Sequence, residues 1–282
     1  MNTIHDILTK TAGFFNKNGV PNPRLDAEYI VAHGLGLKRI DLYQDLERPL
    51  TEPELALLRP LVARRAKREP LQHIVGNTSF RGYEIKCDAR ALIPRPETED
   101  IVDLVKKKLG NAEGLKVADI GTGSGAIAIS CKKELVEPRV LATDISEDAL
   151  KLAKENAELN GTEIEFFHGD LLEAIPEAEF PLDALVANLP YIPNGEREKL
   201  QPEVRFDPAR ALFGGQDGLS LVRKLLSQIP GKLKTGAPII LEIASWQEEP
   251  LKREAAGLQG LEWVSAHKDY CGNVRFAEYK AL

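Results

Sequence analysis

The sequence predicts an α/β fold, a doubly wound and mostly parallel sheet of seven strands, set behind a small helical domain and a β-hairpin linker. Three observations carry this. From Lys116 onward, apolar runs of strand length alternate with helical patterns, while the first 70 or so residues show helical spacing alone. Between the first strand of the alternating part and its helix lies a Gly-rich turn, Asp119-Ile120-Gly121-Thr122-Gly123-Ser124-Gly125.

In residues 1–75, Ile4, Leu8 and Phe14–Phe15 recur at helical spacing. So do Ala27, Ile30, Val31 and Leu35, and then Leu55, Leu57, Leu58, Leu61 and Val62. Prolines 21, 23, 49 and 53 separate these helices, with Asp26 and Thr51 expected as N-caps. The last helix carries Arg59, Arg64, Arg65, Lys67 and Arg68, which read as a solvated face or as a docking patch for an acidic partner. Residues 76–96 form the linker: a strand over 80–86, a turn, and a strand at Ala91-Leu92-Ile93. The domain from residue 97 places strands at 116–120, 139–144, 164–168, 182–188, 237–243, 261–266 and 274–279. Its helices are expected at 126–133, 147–159, 219–229 and 248–256. In such a sheet, ligands bind outside the carboxyl ends of the strands.

Composition narrows the function. With 43% hydrophobic and 28% charged residues this is ordinary globular sequence, and no apolar run reaches the roughly 20 residues of a membrane span. The segment MNTIHDILTK has no signal-peptide apolar region, so a cytoplasmic protein is expected. Cys87, Cys131 and Cys271 are scattered without a C-x-x-C pair, which points to free thiols rather than disulfides or zinc. His5, His33, His73, His168 and His267 show no metal-ligand spacing, and no metal is expected. A net charge of −6 argues against binding nucleic acid through its phosphates, so a protein or small-molecule partner is expected.

The chemistry is concentrated in four segments. Gly121, Gly123 and Gly125, with Thr122 and Ser124 between them, let the backbone turn tightly and approach a ligand. The spacing is G-x-G-x-G rather than G-x-G-x-x-G, and Asp119 inside the strand would attract a cationic amino group and repel a pyrophosphate. Asp144, with Ile145 beside it, ends the next strand, where an acid can accept from ribose hydroxyls in nicotinamide and methyl-transferring enzymes alike. Asp170 and Leu171 end the third strand; Asp170 reads either as an acceptor for an adenine amino group or as a helix N-cap. Finally, Asn188-Leu189-Pro190-Tyr191 closes the fourth. A planar NH2 group is a poor nucleophile unless both hydrogens are held by acceptors. Asn188 can supply its side-chain oxygen, Leu189 its main-chain carbonyl, Pro190 stiffness, and Tyr191 a stacking ring. Together these indicate transfer of a methyl group from S-adenosylmethionine (SAM) to a planar NH2 group. No general base is evident, so rate is expected from in-line alignment and water exclusion.

With these residues in view, the chain resembles the HemK/PrmC family, the N5-glutamine methyltransferases of peptide chain release factors. The resemblance rests on Leu92-Ile93-Pro94-Arg95-Pro96-Glu97-Thr98-Glu99 in the linker. Two further segments support it: Pro70-Leu71-Gln72-His73-Ile74-Val75-Gly76 and Ala211-Leu212-Phe213-Gly214-Gly215-Gln216-Asp217-Gly218-Leu219. It implies a Rossmann-like class I SAM methyltransferase fold, SAM as cofactor, and the glutamine of a release factor's Gly-Gly-Gln motif as substrate. It also implies SAM contacts at Gly121 to Gly125, Asp144, Asp170, Leu171 and Asn188, a glutamine clamp at Asn188 to Tyr191, and a helical domain that recognises the factor. The family's usual tetrapeptide is Asn-Pro-Pro-Tyr; Leu189 keeps the main-chain carbonyl with a less rigid turn. Because Asn-Leu-Pro-Tyr also resembles ribosomal RNA adenine-N6 dimethyltransferases, an adenine-N6 methyltransferase is the alternative. The linker signature, acidic charge and N-terminal helical domain favour glutamine. A nicotinamide oxidoreductase and a non-catalytic nucleoside-binding module are the remaining readings, the former disfavoured by Asp119. Gly214-Gly215-Gln216 spells the substrate motif but reads as a glycine turn into the helix at 219.

Overall fold

The structure, a computed structural model, describes residues 2–282 and divides into two units. The first runs to Asn77 and also takes in Leu200–Phe206. Its helix α1 (Ile4–Lys17) opens with a capping box, Thr3 and Asp6 each accepting the other's backbone N–H. Helix α2 (Pro23–Leu35) starts on a proline and stops at Gly36 in the left-handed region. Helix α3 (Glu52–Ala66) has the expected N-cap, Thr51, boxed with Glu54, and α4 (Leu71–Val75) follows. Ile4, Leu8, Val31, Leu42 and Leu58 form one buried cluster, and Phe15, Val20, Ala27, Ile30 and Ile74 another.

Two expectations are corrected here. Asp26 is not an N-cap: Pro23 needs no N–H partner, so α2 begins earlier, with Asn22 at the cap position and Asp26 in the first turn. The buried Asp26 carboxylate instead accepts from Arg65 Nε at 2.7 Å. Nor is the basic run wholly a solvated face: Arg59, Arg64 and Lys67 are exposed, but Arg65 and Arg68 turn inward. Arg65 is buried and also donates to Glu203, Arg68 grips Glu203 through two bonds of 2.6 Å, and Arg64 and Arg59 pair with Glu69 and Glu52.

The second unit covers Thr78–Lys199 and Asp207–Leu282. The hairpin strands β1 (Asn77–Phe80) and β2 (Tyr83–Lys86) are joined at Arg81 and Gly82, both with positive φ, as a two-residue hairpin turn requires. The turn therefore falls inside the stretch expected as one strand. Arg81 tolerates it because its backbone N–H bonds Glu99 and its guanidinium bonds Asp103 and Glu134. Residues 91–93, expected as a strand, are irregular, with Ala91 and Ile93 buried.

Helix α5 (Asp100–Leu109) leads into the main sheet. Its elements are β3 (Lys116–Ile120), α6 (Ala126–Glu134), β4 (Arg139–Asp144), α7 (Glu147–Leu159), β5 (Glu165–His168) and β6 (Ala184–Ala187). They continue with α8 (Ser220–Gln228), β7 (Pro238–Glu242), α9 (Glu248–Ala255), β8 (Leu261–Lys268) and β9 (Val274–Ala281). The order is β5-β4-β3-β6-β7-β9-β8, parallel except that β9 runs against both neighbours. This is the predicted seven-stranded sheet. Its central strands are buried on both faces: Ile120, Leu141 and Leu185 pack with Leu225 of α8, while Val140 and Val186 pack with Val105 of α5 and Ile129 of α6. From β3 the chain builds outward to β5, then returns to β6 on the other side, so the crevice lies at the carboxyl ends of β3, β4 and β6. No helix among the described residues is long and apolar enough to cross a membrane.

Candidate active site

Asp119 is the penultimate residue of β3 and fully buried. Its Oδ2 accepts from the Thr122 hydroxyl at 2.7 Å and from the Ala128 N–H of α6 at 3.1 Å, while Oδ1 has no partner. Burial pushes this carboxyl up to about 7 in spite of those donors. Asp119 thus sits behind the Gly-rich turn rather than on the cavity wall, tying the turn to α6. At the end of β4, the Asp144 carboxylate accepts from the Gly123 N–H at 2.9 Å and the Ser146 N–H at 2.8 Å. Burial raises its pKa, and each oxygen keeps a lone pair for further donors.

The cavity above these strand ends is lined by Gly121, Thr122, Gly123, Ser124, Asp144 and Ile145, together with Asp170, Leu171, Asn188, Leu189 and Pro190. Three expected residues stand off it: Asp119, Gly125 and Tyr191. Gly125 lies against α7, where an added Cβ would meet Ala153 at 3.2 Å. Tyr191 lies beside Arg275 and Glu242, and burial raises its pKa. Ile145 presents an apolar side chain that is 58% exposed. Asp170 stands at the N-cap position of the short turn Leu171–Ala174 but makes no capping bond; its carboxylate pairs with Lys224 of α8. Leu171 takes the left-handed region at φ 53, costly for leucine, and forms part of the wall there.

Asn188 follows β6 directly. Its Nδ2 donates to the Thr98 hydroxyl oxygen at 3.3 Å, leaving Oδ1 as its acceptor. Leu189 packs over Gly121 so closely that a Cβ there would lie 2.9 Å from Leu189 Cδ2. Behind the tetrapeptide runs the segment read as a plain glycine turn. Ile192 N–H donates to Leu212 O, Gly214 N–H to Ile192 O, and Asn194 N–H to Gly215 O. A Cβ on Gly214 would stand 2.2 Å from Pro190 O, and one on Gly218 2.1 Å from Tyr191 O.

Spacing alone marks no site residue in the linker or just beyond it. Ala91, Leu92, Pro94, Arg95 and Thr98 all line the cavity. Arg95 and the Ile93 N–H both donate to Asp207, a carboxyl that burial raises to about 6. The walls suit an adenosine carrying a cationic tail: apolar Ile145 and Leu171, with acceptors at Asp144, Asp170 and Asn188. A pyrophosphate is poorly served, because the Gly123 N–H at the cavity is already held by Asp144.

Fold and site together define a SAM-dependent methyltransferase. The sheet is shared with a methyltransferase from Pyrococcus furiosus (TM-score 0.55, 19% identity, 78% of this chain and 98% of that one). It is shared as well with the catalytic domain of human Mettl16, solved in complex with the MAT2A 3'UTR hairpin 6 (TM-score 0.57, 19%, 78% and 81%). Residues 6–76 match the PrmC N-terminal domain, and residues 100–211 the methyltransferase small domain. Release factor glutamine methyltransferases of Geobacter sulfurreducens (41% identity, 88% of this chain and 86% of the relative) and Deinococcus radiodurans (36%, 97% and 96%) align along the chain. That of Moorella thermoacetica matches at 37% over 99% of both. The chain belongs to the family of release factor glutamine methyltransferases, and its cofactor is SAM.

Proposed function

We propose that this enzyme methylates the side-chain amide nitrogen (N5) of the glutamine in the Gly-Gly-Gln motif of a peptide chain release factor. The observation that carries the reading is the Asn188 amide, tethered through Nδ2 with Oδ1 left as acceptor, at the cavity and at the carboxyl end of β6. SAM, when bound, supplies a methyl group on a sulfonium. The chain's own residues do the rest. Asn188 Oδ1 and the Leu189 carbonyl accept the two amide hydrogens, which fixes the nitrogen and favours its lone pair as nucleophile. Pro190 and the glycine segment behind it hold that carbonyl in place, and Tyr191, off the cavity, secures the end of the turn. The Gly121–Ser124 backbone, Asp144 and Asp170 form the nucleoside pocket, with Ile145 and Leu171 flanking the base. Asp119 holds the turn from behind. The helical unit recognises the release factor, and the acidic chain acts in the cytoplasm on protein, without binding nucleic acid or membrane. The test is Asn188→Ala: transfer is lost while SAM affinity stays within a few-fold, and a variant that keeps its activity would remove Asn188 from the clamp.

A further inference from the structure

Glu242 is a buried carboxylate that the reaction as described does not use. It ends β7, and its Oε2 has no hydrogen-bond partner. Ala187 of β6 is in register with Leu241 of β7, so Asn188 and Glu242 are the next residues at the carboxyl ends of two neighbouring parallel strands. They share a face of the sheet. Thr98, itself buried, accepts from Asn188 Nδ2, and its hydroxyl is among the groups that favour the charged form of Glu242. Glu242 does not line the cavity.

We propose that Thr98 and Glu242 are positioning residues that fix which end of the Asn188 amide faces the substrate. A carboxylate can only accept, so the Thr98 hydroxyl directs its single proton to Glu242 and meets Asn188 as an acceptor. Asn188 must then give Thr98 its NH2 and keep Oδ1 for the glutamine. The opposite orientation would set an NH2 against the substrate's NH2. The inference rests on the clamp assigned to Asn188 above.

Protonation of Glu242 releases the constraint. A neutral carboxyl is itself a donor, so the chain can run the other way, from Glu242 to Thr98 to Asn188 Oδ1. Burial pushes the Glu242 carboxyl up to about 7, with Arg275 and Arg95 favouring the charged form, Glu97 opposing it and Tyr191 alongside. The competent carboxylate is therefore lost as pH falls through about 7.

The experiment measures kcat for methyl transfer to purified release factor from pH 5.5 to 8.5, with SAM affinity by calorimetry, for the full-length wild type, Glu242→Gln, Thr98→Val and Thr98→Ser. Wild-type kcat should fall with pH below about 7. Glu242→Gln, which can face Thr98 through oxygen or nitrogen, should lose that acid limb and run about tenfold slower at pH 8 with SAM affinity unchanged. Thr98→Val should be slower still, and Thr98→Ser should recover most of that loss. An acid limb that persists in Glu242→Gln, a wild-type profile without one, or a Thr98→Val variant as fast as wild type overturns the inference while leaving the functional reading intact. A wild type that binds SAM but methylates no release factor overturns both.

Discussion

Gly214→Ala is the sharpest test of how the tetrapeptide is held. The new Cβ would stand 2.2 Å from Pro190 O and 2.8 Å from Gly218 O, both main-chain atoms that no side-chain rotation can move away. Carbon–oxygen contacts at such positions essentially never fall below 3.0 Å, so the clamp backbone must retreat. A shift approaching ~1 Å next to the reacting nitrogen is of the size that costs about 100-fold in rate. Overpacking of a tight site adds about 1–3 kcal/mol of destabilisation. Gly195→Ala is the control, since nothing lies within 4 Å of its added Cβ. Steady-state kinetics at saturating SAM, with thermal unfolding of both variants, should show Gly214→Ala losing kcat roughly a hundredfold and Gly195→Ala behaving as wild type. A folded Gly214→Ala with wild-type kcat would refute the argument that this segment sets the clamp geometry.

Two further outcomes are expected. Arg65→Ala leaves the buried Asp26 carboxylate without its cation, so the urea midpoint should drop by the equivalent of about 3–5 kcal/mol. Arg59→Ala, at an exposed pair, should change it by less than about 1 kcal/mol. Thiol labelling of the native protein near pH 8 should modify Cys271 alone, because burial pushes the Cys87 thiol up to about 12 and raises Cys131 as well. All three should react after denaturation.

What the sequence made legible was local. The alternation of apolar runs with helical patterns is a property of neighbouring residues, and so are the Thr51–Glu54 capping box and the Gly-rich turn. Asp144 could be placed because it ends a strand adjacent to that turn. The remaining features depend on pairings that spacing does not report. Asp26 reads as a cap until Arg65, 39 residues away, is seen to occupy its carboxylate. Thr98 reads as one letter of a signature until Asn188, 90 residues on, donates to it. Leu200–Phe206 joins the helical unit through Glu203, and no periodicity marks that excursion. Gly214 looks like any turn glycine, and its role appears only in the closeness of the Pro190 carbonyl. Asp119 shows the same limit from the other side: it lies inside the strand, as its place before the turn indicates, but the direction of its carboxylate, toward α6, is not contained in the spacing.

The proposed function turns on the identity of the methylated atom. Transfer of labelled methyl from SAM to purified release factor, run beside a factor with its loop glutamine changed to alanine and beside bulk RNA, tests it directly. Label is expected on the wild-type factor alone, at the glutamine side-chain nitrogen by mass spectrometry. Label on RNA, or label that survives in the alanine factor, would contradict it.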